Sequence, residues 1–70
     1  MARTISVTVE VNGGSKKKPL KNGSTAAILL DELNLLPDAH IVVKNGKPIP
    51  ITQVLKDGDR IRIIKVASGG

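Results

Sequence analysis

The chain has 70 residues, of which 40% are apolar and 24% are charged, and its formal net charge is +5. This composition is typical of a globular protein, but the length is near the lower limit for folding without a metal or a cross-link. The absence of cysteine excludes disulfides and thiolate metal sites, and the absence of Phe, Trp and Tyr predicts an aliphatic core. No apolar run is long enough to span a membrane and the N-terminus does not resemble a signal peptide, so we expect a cytoplasmic protein.

The first part of the chain predicts a β-hairpin. Residues 5–11 alternate between apolar and polar side chains, which is typical of a half-buried strand. Asn12-Gly13-Gly14 predicts the turn that follows. Residues 15–20 would form the returning strand at a sheet edge, because Pro19 cannot donate a ladder hydrogen bond and the lysines discourage edge-to-edge pairing.

The next segment, after Lys21-Asn22-Gly23, predicts one amphipathic helix of about eleven residues. Ser24 or Thr25 can cap its N-terminus, because a hydroxyl accepts a hydrogen bond from a first-turn N–H group. The apolar stripe consists of Ala26, Leu29, Leu30 and Leu33, with Leu36 as an extension. Asp31 and Glu32 are expected on the opposite, solvent-facing side. Pro37 requires the helix to end no later than Leu36.

A second hairpin is predicted in the following segment. Residues 40–44 form a short apolar strand, and Asn45-Gly46 is typical of a tight turn. Residues 47–50 contain two prolines and are expected to form an edge strand or an extended loop. Val54 and Leu55 are expected to close one end of the core.

Residues 60–66 are rich in β-branched side chains and predict the last strand. The order of elements predicts an α+β fold, a β-grasp with a mixed sheet of roughly four or five strands and one helix packed across one face. The two most apolar strands belong at the centre of the sheet and the proline-containing strands at its edges. We expect residues 1–70 to form a single domain.

The chain ends in Ala67-Ser68-Gly69-Gly70. Terminal glycines cannot pack in a core, and ordering them costs more entropy than ordering any other residues. We therefore expect residues from about 67 to 70 to form a flexible tail with an accessible carboxylate on Gly70.

Alternation along the last strands predicts an outer face of the sheet, turned away from the helix. If Ile61, Ile63 and Val42 contact the helix, the intervening side chains face outward. A partner is expected to bind this face and the start of the tail, since a small domain seldom exposes clustered Val and Ile without a use. The alternative is that loops or an oligomer cover these side chains. The predicted partner-binding residues are Ile41, Val43, Arg62, Ile64, Val66, Ala67 and Ser68.

Positive charge is clustered only at Lys16-Lys17-Lys18 with Lys21. Such a cluster suits phosphate groups, and a basic β-grasp module that binds RNA is the alternative function. No aromatic residue is present to stack on bases, which favours a solvated basic hairpin and makes nucleic acid the less favoured partner.

No residue pattern predicts a catalytic or metal site. His40 is the only histidine and has no Cys or Ser partner arrangement, so we expect it to be structural or exposed. Asp57 and Asp59 flank Gly58, and this arrangement favours a turn over a carboxylate dyad. Residues 12–15 are not a phosphate-binding loop, because no Gly-Lys-Ser/Thr sequence leads into a helix.

The predicted β-grasp order is accompanied by several motifs that resemble those of ubiquitin-like sulfur carriers. These motifs are the helix start at Gly23–Leu30, the hairpin Val43-Lys44-Asn45-Gly46, the segment Leu55–Ile61 and the terminal Ser68-Gly69-Gly70. The groups that the chain resembles are the thiamine-pathway carrier ThiS, the molybdopterin-synthase small subunit MoaD and the small archaeal ubiquitin-like modifiers. The lysine-rich second strand departs from these carriers, which are often acidic.

The resemblance implies that a ubiquitin-activating-type enzyme adenylates the Gly70 carboxylate, using ATP and Mg²⁺. The activated end then becomes a thiocarboxylate for thiamine, molybdopterin or tRNA thiolation, or is transferred to the lysines of target proteins. Glycine at positions 69 and 70 suits this chemistry, because it lets the backbone enter a narrow channel and leaves the carbonyl open to attack. The chain is then a monomeric substrate, not an enzyme. It binds no cofactor of its own, and its further partners are sulfur donor and acceptor enzymes.

Overall fold

The computed structural model describes residues 4–11 and 13–66. Within these ranges the chain forms five strands, one α-helix and one short 3₁₀ helix. They are β1 (Thr4–Val11), β2 (Gly14–Lys21), α1 (Ala26–Glu32), the 3₁₀ helix (Pro37–Ala39), β3 (His40–Lys44), β4 (Lys47–Ile49) and β5 (Arg60–Lys65). Neither helix has the length and apolar character that crossing a bilayer requires.

The five strands form one mixed sheet in the order β2-β1-β5-β3-β4. β1 and β5 are parallel, and the other neighbouring pairs are antiparallel. The apolar strand β5 is central with β1 beside it, and the proline-containing strands β2 and β4 form the two edges. The predicted α+β architecture and the predicted edge positions are therefore confirmed.

One face of the sheet packs against α1 and forms an aliphatic core. The fully buried residues with the largest side chains are Leu29, Leu30, Leu55, Ile61, Val7, Val9 and Val42. Leu55 closes the core as predicted, with its N–H group donating to the Ser24 carbonyl at 2.8 Å. The same prediction was wrong for Val54, which is 45% exposed and pairs with Thr25 through a backbone bridge. Neighbouring residues of an extended segment point to opposite sides, so only one of the two can enter the core.

The helix is shorter than predicted. Thr25 is its N-cap, and its Oγ1 accepts a hydrogen bond from the Ile28 N–H group at 3.4 Å. α1 has seven residues and ends before Asn34, which has a φ of 59°. The Asn34 N–H group donates to the Asp31 carbonyl and that of Leu35 to the Leu30 carbonyl. This pattern is a Schellman motif, so a left-handed asparagine, not Pro37, ends the helix.

The early helix end also changes the position of Leu36. This residue was predicted to extend the apolar stripe, but it lies beyond the helix and is 71% exposed. Leu33 packs against the edge of the core. Asp31 and Glu32 are exposed, as predicted for the solvent-facing side of α1.

Candidate functional site

The candidate site lies on the outer face of the sheet, which is opposite α1. Along β5, Ile61 and Ile63 are buried while Arg62 and Ile64 are exposed. Along β3, Val42 is buried, Ile41 is exposed and Val43 is half-buried. The predicted alternation is therefore confirmed for both strands; the binding role of the outward residues stays a prediction.

The outer face carries an apolar pair. Ile41 and Ile64 are direct partners in the antiparallel register of β3 and β5, and they are 41% and 43% exposed. Direct cross-strand partners have their Cβ atoms close enough for the side chains to touch. Val43 lies opposite Arg62 in the same register, so apolar and cationic side chains are adjacent on this face.

The residue that precedes the predicted tail is held close to the apolar pair. The Val66 N–H group donates to the Ala39 carbonyl at 2.9 Å, which holds the chain against the start of β3 after β5 has ended. Val66 is half-buried. The predicted site residues Ala67, Ser68, Gly69 and Gly70 lie outside the described residues.

Three further residues of the outer face, Thr8, Glu10 and Arg60, were not predicted from the sequence. Arg62 contacts Glu10 of β1, with 3.1 Å between Nε and Oε1. Arg60 lies opposite Thr8 of β1 in the parallel register. A shallow depression of about 420 Å³ lies among these side chains and is also bordered by Val43 and the Asn45-Gly46 turn. The signal for Thr8, Glu10 and Arg60 is the register between β1 and β5, which the local sequence pattern does not specify.

The turn before β5 sets this register. The Asp57 carboxylate accepts a hydrogen bond from the Ser6 N–H group, and the Asp59 carboxylate accepts one from the Lys56 N–H group, both at 2.8 Å. The Asp59 carbonyl also accepts from the Thr8 N–H group at 2.9 Å. The two aspartates therefore form turn contacts that attach the start of β5 to β1, as expected for a turn and not for a carboxylate dyad.

The lysine cluster is divided between the two faces of β2. Lys17 lies opposite Thr8 and so belongs to the outer face, whereas Lys16 and Lys18 lie opposite buried residues of the helix side. Lys18 is 3.6 Å from the Glu32 carboxylate of α1, measured from Nζ to Oε1. The three consecutive lysines therefore do not form one continuous phosphate-binding surface.

His40 makes a local contact. Its Nδ1 lies 2.8 Å from the Leu36 carbonyl oxygen across the 3₁₀ helix, in agreement with the predicted structural role. No three His, Cys, Asp or Glu side chains come together in the part of the chain that the structure describes.

Solved structures with the same architecture are ubiquitin-like. The solution structure of an N-terminal ubiquitin-like domain matches 100% of this chain and 82% of its own length, with a TM-score of 0.76 and 18% identity. The ubiquitin of Caldiarchaeum subterraneum matches 96% of this chain and 99% of its own length, with a TM-score of 0.70 and 19% identity. At these identities the likeness defines the fold, which is ubiquitin-like.

The sequence comparison identifies the family. The model of the ThiS family matches residues 6–70. An uncharacterized protein of Archaeoglobus fulgidus is 33% identical over 49 residues, which cover 70% of this chain and 72% of the relative. The chain belongs to the ThiS family. Family and fold together make it a small ubiquitin-like carrier or modifier, a class of proteins that are generally not enzymes.

Proposed function

We propose that this chain is a sulfur carrier or protein modifier whose Gly70 carboxylate is adenylated by a ubiquitin-activating-type enzyme. The observation that carries the proposal is the family match, which extends to residue 70 and so includes the Gly69-Gly70 pair. The described residues offer no competing site, because they bring no metal-binding cluster together and the acidic pair near Gly58 forms turn contacts.

The chemistry follows from the reactivity of a carboxylate. A carboxylate is a poor electrophile, so a Gly70 oxygen first attacks the α-phosphorus of ATP and displaces pyrophosphate. The resulting acyl adenylate has a good leaving group. A sulfide-level sulfur nucleophile then attacks the carbonyl and displaces AMP, which gives a thiocarboxylate. If a lysine amine attacks instead, the product is an isopeptide bond to a target protein. ATP and Mg²⁺ belong to the enzyme, and this chain supplies the electrophile.

The outer face supplies the docking surface in this proposal. Ile41 and Ile64 present apolar area close to Val66, the residue that precedes the tail. Binding here would place residues 67–70 at the entrance of the enzyme's active site, with Ala67 and Ser68 as the first tail contacts. Val43 and Arg62 extend the same surface towards the Asn45-Gly46 turn.

We also infer that the carrier is a monomer and acts in the cytoplasm. A monomer leaves the Ile41 and Ile64 side chains accessible to the enzyme. With no cysteine in the chain, folding requires no oxidising compartment, which is consistent with a cytoplasmic reaction.

The test is pyrophosphate release in a mixture of the chain, ATP, Mg²⁺ and the ubiquitin-activating-type enzyme of the same organism. The mass of the purified chain is first measured to verify that it ends at Gly70. We expect release to depend on the chain and to saturate with its concentration. Equal release with and without the chain would contradict the proposal. Sulfur transfer and conjugation are then separated by offering a sulfur donor or a target protein as the second substrate.

A further inference from the structure

The outer face carries a strip of cationic side chains next to the apolar pair. This basic strip consists of Lys17, Arg60 and Arg62. Lys17 of β2 and Arg60 of β5 are both cross-strand partners of Thr8, one from each side, so Lys17, Thr8 and Arg60 form a row across β2, β1 and β5. Arg62 follows Arg60 on the same face of β5, and all three residues of the strip are exposed.

The charge of the basic strip is only partly neutralised. Glu10 is the sole carboxylate among the outward-facing strand positions that the structure describes, and it is paired with Arg62. Within residues 4–11 and 13–66, neither Arg60 nor Lys17 makes a salt bridge. Arg60 and Lys17 are therefore available for charges on another molecule.

The position of Arg60 is well defined. Its backbone carbonyl accepts from the Asn45 N–H group at 3.0 Å, and its register with Thr8 is set by the turn at Asp57 and Asp59. The backbone is thus held on two sides, and Arg60 borders the depression of about 420 Å³ on the outer face. A guanidinium presents a planar fork of N–H donors that matches a carboxylate, and Thr8, a residue whose hydroxyl can donate, borders the same depression.

We propose that the basic strip binds an acidic segment of a protein partner, with carboxylates of that segment at Arg60 and Lys17, the two members of the strip that make no salt bridge within the described residues. An apolar residue of the same segment covers Ile41 and Ile64, since Val43 joins the two surfaces along β3. The proposal rests on the proposed function, in which the partner is the activating enzyme. It adds that the docking groove of this enzyme carries Asp or Glu side chains.

The chemistry of the face favours protein over nucleic acid. A surface for single-stranded RNA combines positive charge with aromatic side chains on which bases stack, and this chain has no aromatic residue. The basic strip instead lies beside aliphatic side chains, a combination that suits an acidic segment with an apolar anchor. Of the other lysines of the cluster, Lys16 and Lys18 belong to the opposite face, and only Lys21, opposite Thr4, lies on the same face as Lys17.

The first test needs no enzyme. The isotope-labelled chain is titrated by NMR at low ionic strength with a hexaglutamate peptide and, separately, with polyuridine. We expect hexaglutamate to shift the amide signals of Thr8, Arg60 and Arg62, and Arg60→Gln to weaken its binding roughly fivefold. Lys16→Gln removes the same charge from the helix side and should leave peptide binding within about twofold. Equal effects of the two variants, or tighter binding of polyuridine at the same amides, would overturn the proposal.

The second test uses the enzyme and separates the two proposals. In the pyrophosphate assay, Arg60→Glu should raise the KM for the chain about tenfold or more with kcat retained, and the effect should shrink at high salt. Lys16→Glu is the matched control, and thermal melts verify that both variants fold. If the wild-type chain supports no pyrophosphate release, the proposed function fails, and the peptide titration alone decides whether the basic strip binds acidic segments. If the wild-type chain is active but Arg60→Glu and Lys16→Glu have equal KM values, the binding role proposed for the basic strip is wrong and the proposed function stands.

Discussion

Ile41 of β3 lies directly opposite Ile64 of β5, and each side chain is about two-fifths exposed on the face of the sheet that α1 does not cover. Two residues further along the chain, the Val66 N–H group donates to the Ala39 carbonyl, which holds the backbone that precedes the predicted tail close to this pair. The surface that would dock a partner therefore reaches Val66, the last described residue before the predicted tail. The closeness of Val66 to the apolar pair is the geometric support for the proposed docking surface.

The first prediction concerns the apolar pair. Ile64→Asp should weaken binding to the activating enzyme a hundredfold or more, because it removes an apolar contact and places a charge in a desolvated interface, a cost of at least about 3 kcal/mol. Ile28→Asp is a matched control, since Ile28 is 45% exposed but belongs to α1 on the opposite side of the sheet. Binding is measured by calorimetry. Equal losses in the two variants would show that the pair has no specific role.

The second prediction concerns the core. Leu30 is fully buried, and Leu30→Ala should lower the free energy of unfolding by roughly 2–4 kcal/mol through the cavity it creates. Leu36→Ala removes the same atoms from an exposed position and should change stability by less than about 0.5 kcal/mol. Urea unfolding of both variants measures the difference. A similar loss for both would mean that the Leu36 side chain is packed in the core, which contradicts its exposed position after the helix.

The third prediction concerns the end of α1. Because Asn34 has a φ of 59°, Asn34→Ala should cost about 1 kcal/mol, whereas Asn34→Gly should be neutral or slightly stabilising. The two variants are compared by urea unfolding and by helix content from circular dichroism. If alanine is tolerated as well as glycine, the left-handed cap does not determine where the helix ends.

These residues also show where the sequence was sufficient and where it was not. Strand alternation predicted which two strands lie inside the sheet, and the proline positions predicted both edges, because a proline cannot donate within a ladder. The helix end was misplaced because Pro37 was weighed as the stop signal, while Asn34 fills the C-terminal cap position that glycine usually occupies.

The outer face was only partly predictable. The apolar pair follows from alternation within two short strands joined in one sheet. The division of the lysines could also have been predicted, because the two-residue turn that pairs Val11 with Gly14 places Lys17 opposite Thr8. By contrast, the Glu10–Arg62 contact joins residues 52 positions apart through a parallel register, which local pattern does not fix.

The fourth prediction concerns the tail. Removing Gly69 and Gly70 should abolish pyrophosphate release, because the reacting carboxylate no longer reaches the enzyme's nucleotide. The melting temperature should be unchanged, because the buried core residues lie between Ile5 and Ile63. Pyrophosphate assays and thermal melts are run on the same preparations. A truncated chain that is still activated, or that no longer folds, would contradict the assignment of the reaction to Gly70.

Activation at Gly70 is best measured by the intact mass of the chain after incubation with its activating enzyme, ATP, Mg²⁺ and a sulfide donor. We expect the mass to increase by the exchange of one oxygen atom for one sulfur atom. Fragmentation should locate this change at Gly70, and it should be absent when ATP is omitted. With a target protein in place of the sulfide donor, we expect a covalent conjugate through a lysine. A chain whose mass is unchanged in the first reaction and that forms no conjugate in the second would contradict the account.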